Sequence, residues 1–435
     1  MTVSHPPVRK REIFGWAMFD FANSSYTTVV VTVAYSVYFT QLVAPAGRSD
    51  FLWSVGVTVS NAIVVVLSPF VGAVADDSGR KKLFLFVSYL ACVAGTAALW
   101  FVEPGMVALG IALFVVSNVA FSLGENFAAA FLPEISTPEN IGRISGFGWG
   151  LGYFGGLGCL LAVFPLIKGD FVPANLAALR LAWPVTALFF LVAGTVTFAL
   201  LGERAPRGPR RTPLGYARVG YARLADTVRA LGHFSQLARF LVVFFVFTCG
   251  LAAVVYFSAV YARQTLGFEA GELILLFMVV QISSAGGALL FGYLQDRMGA
   301  TRTIQITLVL WIAVCVVAYL TASKVTFFVV ALCAGLGIGS LQSASRALVG
   351  LFSPLEKSGE FFGFWGLAGK SAFAFGPLVF GLLSWLTGSQ RWAILSTGLF
   401  FLAGLIGLAW VDEARGRMAA AEWHEARRRE VADAG

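Results

Sequence analysis

The sequence predicts an all-α membrane protein with twelve transmembrane helices in two parallel six-helix repeats. Three observations predict this fold. Hydrophobic residues make up 58% of the 435 residues and charged residues only 12%, whereas a soluble protein carries about 25% charged residues. Apolar runs of membrane-spanning length recur along the chain, and short motifs repeat about half a chain apart. A soluble core has no room for this much apolar surface.

An α-helix needs about 20 apolar residues to cross a bilayer, and runs of that kind occur at twelve places. They cover approximately residues 13–43, 51–75, 83–102, 106–131, 144–167, 181–201, 239–262, 271–294, 303–321, 325–349, 361–387 and 391–411. The longest polar segment divides these spans into two sets of six. We therefore predict an N-terminal bundle at 1–201, a basic linker at 202–238, a C-terminal bundle at 239–411 and a tail at 412–435.

The basic residues predict the orientation of these spans. The side that holds both termini carries 23 of them, and the opposite side carries six: Arg48, Lys168, Arg180, Arg263, Lys324 and Arg391. Because Lys and Arg collect in cytoplasmic loops, we expect both termini, the linker and the tail to be cytoplasmic. This explanation also accounts for the net charge of +8, so we do not expect nucleic-acid binding.

Within the linker, apolar residues recur at helical spacing between Tyr221 and Leu231, beside basic residues such as Arg223. This pattern predicts a basic amphipathic helix on the cytoplasmic membrane surface.

Several kinds of chemical site are not expected. The five cysteines lie in apolar segments without a C-x-x-C spacing, and His5, His233 and His424 lie outside every span. The spans thus lack the residues for a metal site or a histidine proton relay. There is no Walker A motif for ATP, and nothing in the sequence calls for a cofactor. A membrane enzyme would need nucleophiles, histidines or metal-binding carboxylates gathered at one depth. The sequence lacks such a group, so we do not expect an enzyme.

A loop motif follows span two and recurs after span eight. The first copy contains Gly72, Asp76, Gly79, Arg80 and Lys81, and the second contains Gly292, Asp296, Arg297, Gly299 and Arg302. Trp-Gly-Leu likewise occurs in span five and in span eleven. Matches six spans apart indicate a parallel duplication, as in transporters whose halves are related by an axis normal to the membrane.

Both copies resemble the G-x-x-x-D-(R/K)-x-G-(R/K)-(R/K) loop of the major facilitator superfamily. The resemblance implies that Asp76 and Asp296 help to lock the cytoplasmic side closed. The first copy has Asp77 where a base is usual, and the second has Ala300 and Thr301 where bases usually follow the last glycine. We therefore expect the second loop to latch less firmly.

Further motifs resemble those of the "unknown major facilitator" family, which includes the autophagy-related vacuolar amino-acid effluxers. They are the segment 15–24 with Gly-Trp and Asp-Phe-Ala-Asn-Ser, Phe-Leu-Pro-Glu at 131–134, Gly-Arg-Ile-Ser-Gly-Phe-Gly-Trp at 142–149, and Glu-Phe-Phe-Gly at 360–363 continuing to Lys370. The resemblance implies a major facilitator fold and export of amino acids or similar zwitterions.

Among the charges within predicted spans, four are beyond the first two residues of their span: Asp20, Glu125, Arg346 and Lys370. A central charge costs about 2.5–3.5 kcal/mol on insertion scales, so each is a candidate functional group. The resemblance implies that helices one, four, seven and ten line a central cavity. The depths of the charges overlap, which allows acid–base pairs and, when a pair separates, proton uptake. The alternative is a set of static ion pairs that fixes helix register.

Other candidates for substrate contact are polar or aromatic. Asn23 and Asn126 either face the cavity or join helices through hydrogen bonds. Gly148, Gly152 and Gly156 form a small-residue face on span five, which the resemblance places against Ser283, Ser284, Gly286 and Gly287 of span eight. Trp149 and Tyr153 lie on an adjacent face and either stack on a substrate or pack in the core.

The sequence therefore predicts a secondary active transporter that works by alternating access. It would export a small-molecule substrate, an amino acid or similar zwitterion, coupled to protons. We expect it in the bacterial inner (plasma) membrane, among membrane lipids, as a monomer. A lipid, drug or peptidoglycan-fragment transporter of the same fold is an alternative, since the 40 phenylalanines also suit amphiphiles. A non-transporting membrane receptor or scaffold is another.

The charge asymmetry makes the topology testable. Single cysteines that replace Arg211 in the linker and Lys168 between spans five and six are expected to react from opposite faces of a sealed membrane, because positive charge keeps the first side cytoplasmic. An impermeant thiol reagent applied to right-side-out and inverted vesicles measures this. Labelling of both positions from one face would contradict the topology.

Overall fold

The computed structural model describes residues 8–45, 47–169, 171–204, 208–209, 211–229 and 232–433. Within these residues twelve helices are long and apolar enough to cross a membrane, as predicted. They are α1 (Lys10–Val43), α2 (Ser49–Ser78), α3 (Lys81–Phe101), α4 (Val107–Ile135), α5 (Ile141–Ile167), α6 (Pro173–Leu200), α7 (Ser235–Leu266), α8 (Gly271–Met298), α9 (Ala300–Leu320), α10 (Lys324–Phe352), α11 (Leu355–Thr387) and α12 (Gln390–Trp410). Helices α1–α6 form the first half and α7–α12 the second, each around its own apolar core.

The start of α1 and the end of α12 lie on one face of the molecule, which we call the terminal face. A linker helix (Pro213–Arg229) and a tail helix (Glu413–Asp433) also lie there. Glu413 accepts a hydrogen bond from the Thr301 N–H at the start of α9, and Arg204 pairs with Glu12 in the first turn of α1. The cytoplasmic location of this face stays a prediction.

Helix α1 is irregular in the half that leads to the opposite face. It is α-helical over Lys10–Tyr26 and then π-helical over Thr27–Val33 and Phe39–Val43. β-branched Thr and Val, which are stiff at χ1 and disfavour an α-helix, fill the first π-helical stretch. The Tyr35 and Tyr38 hydroxyls donate to the carbonyls of Gly110 and Val102. This end of α1 is therefore tied to its own half.

The linker helix packs on the protein. A β-carbon at Gly220 would lie 2.8 Å from the Phe70 ring of α2, so this side of the helix contacts the bundle closely. The Tyr221 side chain points away and is 75% exposed. Leu231, the last residue of the predicted amphipathic pattern, lies outside the described residues. The helix thus covers α2 at the terminal face.

The two halves meet through glycines near the terminal face. Between α2 and α11, a β-carbon at Gly72 would lie 2.1 Å from the Gly359 carbonyl oxygen. Between α5 and α8, one at Gly146 would lie 2.3 Å from the Ala288 carbonyl oxygen, and one at Gly292 would lie 2.7 Å from that of Gly142. Backbone therefore touches backbone in both seams, and only glycine permits this approach.

The expectation that the glycine face of span five packs against span eight is wrong. Gly152 and Gly156 pack against Ser24 and Thr28 of α1, and Gly148 also faces α1. The small residues of α8 that were expected to meet this face also pack within their own half. Gly287 packs on Leu336 of α10, Ser283 lies against Gly335, and Ser284 lies against Gly339. The glycines that face α8 are Gly142, Gly146 and Gly150, which the helical turn places on another side of α5.

The seam between α2 and α11 can be tested with alanine. Gly72→Ala is expected to open the terminal face, because its methyl group cannot fit against the Gly359 carbonyl. Spin labels at the exposed residues Glu139 of the first half and Arg415 of the tail helix report the separation by double electron–electron resonance. The tail helix is bonded to the second half through Glu413 and Thr301. Gly381→Ala, in α11 with open space around it, is the control. Identical distance distributions in both variants would contradict the expectation.

Candidate functional site

Asp20 of α1 and Arg346 of α10 form an ion pair between the two halves. Arg346 Nη1 donates to Asp20 Oδ2 at 2.7 Å, and the side chains are 2% and 12% exposed for the base and the acid. The guanidinium also donates to Ser145 of α5, to Oγ at 3.1 Å and to the carbonyl oxygen at 2.8 Å. Arg346 is thus held by three bonds to the first half.

Two tryptophans enclose the same guanidinium. Its Cζ lies 4.7 Å from the ring centroid of Trp16 and 5.3 Å from that of Trp149, distances at which cation–π attraction contributes. Tyr153 lies one turn further along α5 and packs against Trp149, with ring centroids 5.9 Å apart. Trp149 therefore contacts the buried base, and Tyr153 supports Trp149.

Gly148 permits this arrangement. A β-carbon there would lie 2.4 Å from Asp20 Oδ2 and 2.7 Å from Arg346 Nη2. A side chain at position 148 would therefore push the acid and the base apart.

Glu125 of α4 and Lys370 of α11 form a second pair between the halves. Lys370 Nζ lies 4.0 Å from Glu125 Oε2, and the side chains are 22% and 23% exposed. Lys370 Nζ also lies 5.3 Å from the Phe121 ring centroid. A separation of 4.0 Å is too long for a hydrogen bond. The Glu125 carboxylate and the Lys370 ammonium can therefore each bind another partner.

The two predicted asparagines differ. Asn126 donates to Ser68 Oγ of α2 at 2.9 Å and abuts Gly366 of α11, contacts that join helices. Asn23 is 5% exposed, and its Oδ1 has no hydrogen-bond partner among the described residues. An unsatisfied buried oxygen costs about 1–3 kcal/mol, so Asn23 is a candidate to bind a ligand group.

Sequence reasoning missed Trp16 and Ser145 as site residues. Both occur in the motifs that carried the family resemblance, but neither is charged and neither stands out by spacing. Only the position of Arg346 between them shows what they contact.

Asp76 at the end of α2 caps the start of α11. Its carboxylate accepts hydrogen bonds from the N–H groups of Gly359 at 3.0 Å and Glu360 at 2.9 Å. The α-helical part of α11 begins at Ser358, so these N–H groups belong to its first turn and have no partner inside the helix. The positive end of the helix dipole favours a carboxylate there. Asp76 thus binds the second half at the terminal face.

Lys81 reinforces this contact. The buried ammonium lies 3.2 Å from Asp76 and 2.8 Å from Glu134 of α4, and it donates to Ser358 Oγ of α11 at 2.5 Å. Glu134 belongs to the Phe-Leu-Pro-Glu motif, whose role the sequence did not indicate. One lysine therefore connects two acids of the first half with the second half.

The second copy repeats the cap with fewer charges. Asp296 of α8 accepts from the N–H groups of Gly142 at 2.8 Å and Arg143 at 3.2 Å, at the start of α5. Its ion pair with the Arg143 side chain spans 3.5 Å, and that side chain is 58% exposed. Arg302 is exposed, and Arg297 stacks on Tyr293, so neither takes the place that Lys81 has in the first copy.

The other loop residues have local roles. Gly79 and Gly299 end α2 and α8 with φ of 59° and 92°, which favours glycine. Asp77 pairs with linker residues, with Arg211 at 2.9 Å and Arg223 at 3.7 Å. The hydrogen bond to Asp77 raises the pKa of Arg211. The unusual acid at position 77 therefore anchors the linker.

Polar contacts between the halves concentrate at the terminal face. The bonds of Asp76, Lys81 and Asp296 lie there, and the two ion pairs lie deeper. The structure is thus closed at the terminal face.

Comparison with known proteins identifies the family of the chain. A family model described as "Vacuole effluxer Atg22 like" matches residues 51–421. The chain belongs to this family. The uncharacterised MFS-type transporter YxiO of Bacillus subtilis (strain 168) is 28% identical over 406 residues, which are 92% of this chain and 94% of that protein. Autophagy-related protein 22 of Cryptococcus neoformans is 25% identical over 67% of this chain and 54% of its own length.

Solved structures show the same fold. The human organic anion transporter MFSD10 superposes with a TM-score of 0.73 and 16% identity, over 93% of this chain and 100% of that chain. At this identity the likeness shows the fold alone. The predicted major facilitator fold and the family resemblance are confirmed, and the protein is a multi-pass integral membrane member of a transporter family.

Asp76→Asn is expected to weaken the contact between the two halves at the terminal face. The amide loses the charge that pairs with Lys81 and leaves one helix N–H without its acceptor. The free energy of opening the terminal face should therefore fall by on the order of 2 kcal/mol, so the ratio of open to closed molecules should rise about thirtyfold. The labels at Glu139 and Arg415 measure the open population. Asp77→Asn loses only contacts to the linker and should change the open population far less. Equal effects of the two variants would contradict a role of Asp76 in holding the terminal face closed.

Proposed function

We propose that the protein is a secondary active transporter that exports an amino acid or a similar small zwitterion by alternating access, coupled to protons. The observation that supports this most directly is the loose pair of Glu125 and Lys370. It places one acid and one base, both partly exposed, on different halves of the molecule.

Alternating access needs an interface that closes tightly and still separates. The glycine seams bring backbones together without interlocking large side chains. The bonds across them are hydrogen bonds and ion pairs, which water can replace when the terminal face opens. A rocking motion of the two halves around a central site is the expected movement.

The charges of the loose pair suit a zwitterion. A substrate carboxylate would bind Lys370 and a substrate ammonium would bind Glu125, so both protein charges keep a partner. A substrate with a single charge would leave one of them uncompensated, which is costly in a desolvated site. The unsatisfied Oδ1 of Asn23 is available for a further donor of the substrate.

The buried ion pair of Asp20 and Arg346 is our candidate for proton coupling. Three of the five N–H donors of Arg346 bond to Asp20 and Ser145, so the first half holds this base in this state. When the halves separate, Asp20 loses its base, and burial disfavours an unpaired carboxylate. Asp20 would then take up a proton, which is released when the pair forms again.

We further propose that the terminal face is cytoplasmic and that the protein lies in a bacterial plasma membrane. The excess of Lys and Arg on that side supports the orientation. The match to a Bacillus subtilis protein along almost its full length supports the location. In this orientation the structure is closed to the cytoplasm.

Glu125→Gln and Lys370→Met should each abolish gradient-driven uptake into proteoliposomes of a panel of labelled amino acids, because each leaves the substrate with one charge unmatched. Breaking a buried pair costs about 3–5 kcal/mol at most, so melting temperature is measured on the same samples. The double variant Glu125→Gln/Lys370→Met removes the orphan charge and should regain stability without transport.

A matched control is Glu272→Gln/Lys324→Met, which removes a pair of 2.7 Å near the opposite face and should leave transport intact. Restored transport in the Glu125→Gln/Lys370→Met variant would show that the pair is only structural. Wild-type uptake of amphiphiles but not amino acids would contradict the substrate class, and binding without flux would indicate a receptor. Uptake indifferent to a pH gradient would contradict proton coupling.

A further inference from the structure

A groove lies at the terminal face between α1, α5 and α8, apart from the residues of the two ion pairs. Its volume is about 620 Å³, within the range of small-ligand pockets. The apolar part of its lining includes Ile13, Phe147 and Leu289, and the polar part includes Lys10, Arg143 and Tyr293. Helices α1 and α5 belong to the first half and α8 to the second, so the groove spans the junction of the halves.

The lining is ordered by depth. Ile13 follows Lys10 by three residues, and Phe147 follows Arg143 by four, so in both helices the apolar side chain lies about 5 Å deeper in the membrane than the base. Helix α8 runs the other way, and Leu289 there precedes Tyr293 by four residues. Each helix thus offers a polar group at the terminal surface and an apolar one a turn below.

The groove opens sideways. Leu289 and Tyr293 are 44% and 46% exposed, and the neighbouring Leu290 is 53% exposed. Exposed apolar side chains on a membrane-spanning helix face lipid, so the apolar floor of the groove is continuous with the bilayer.

The mouth of the groove is positively charged. Lys10 is exposed, and the Arg143 side chain is 58% exposed. Arg297 stacks on Tyr293, with its guanidinium 4.5 Å from the ring centroid, which holds a third cation beside the mouth. The nearby Asp296 side chain is 9% exposed and accepts a hydrogen bond from the start of α5. Its ion pair with Arg143 spans 3.5 Å, so the exposed Arg143 guanidinium can also bind a phosphate.

We propose that this groove binds an anionic phospholipid from the leaflet at the terminal face. Its phosphate lies among Lys10, Arg143 and Arg297, and its acyl chains run over Ile13, Phe147 and Leu289. Basic pockets between transmembrane helices bind anionic headgroups. Because the cations come from both halves, the bound lipid bridges α5 and α8 and favours the closed terminal face.

The test titrates the purified full-length protein with phosphatidylglycerol, phosphatidylcholine or inorganic phosphate. Native mass spectrometry measures binding, and thermal unfolding measures stabilisation. Phosphatidylglycerol is expected to bind and to raise the melting temperature. Lys10→Gln and Arg143→Gln should each weaken its binding about fivefold, and the double variant roughly 25-fold. Arg218→Gln removes an exposed base of the linker helix outside the groove and should leave binding unchanged.

Equal binding of phosphatidylcholine, or an equal loss in Arg218→Gln, would overturn the proposal, because either result means non-specific association. Equal stabilisation by inorganic phosphate would overturn the lipid as the occupant. Lys10 is exposed and makes no bond that folding requires in the described structure, so Lys10→Gln decides the question if Arg143→Gln is unstable.

Discussion

The closed state depends on the unpaired N–H groups at the starts of α5 and α11. The first N–H groups of any helix lack partners within it, and burial without a partner is costly. Asp76 of the first half supplies a carboxylate to α11, and Asp296 of the second half supplies one to α5. Each half therefore caps a helix of the other. The duplication visible in the sequence becomes a pair of reciprocal bonds across the interface.

The two caps are unequal, and their loop residues explain why. The first has the buried Lys81, which ties Asp76 and Glu134 to α11, while the second has only the largely exposed Arg143 side chain beside Asp296. Removing one partner of a buried ion pair costs about 3–5 kcal/mol, whereas an exposed pair contributes about 0–1 kcal/mol. The expectation that the second loop latches less firmly stays a prediction, and this difference supports it.

Below the caps, the interface carries two ion pairs of different character. One is buried, clamped by Ser145 and by two tryptophan rings, and the other is loose and partly exposed. The first suits a device that must keep its charges paired until the halves move apart, and the second suits a site that exchanges its partner for a substrate. Both pairs join the halves, so substrate binding and the movement of the halves act on the same charges.

The sequence by itself determined the twelve spans, the two halves, the repeated loop and the four intramembrane charges. These follow from hydropathy and spacing along the chain, because a bilayer demands long apolar segments and penalises each charge within them. The tertiary structure alone decided that Asp20 pairs with Arg346 and Glu125 with Lys370, and that Trp16 and Ser145 complete the site. It also decided that the Gly148, Gly152 and Gly156 face of α5 meets α1. Asp20 and Arg346 are 326 residues apart in the chain. Which side of a helix meets which neighbour is set by the packing of all twelve helices, and no local pattern records that packing.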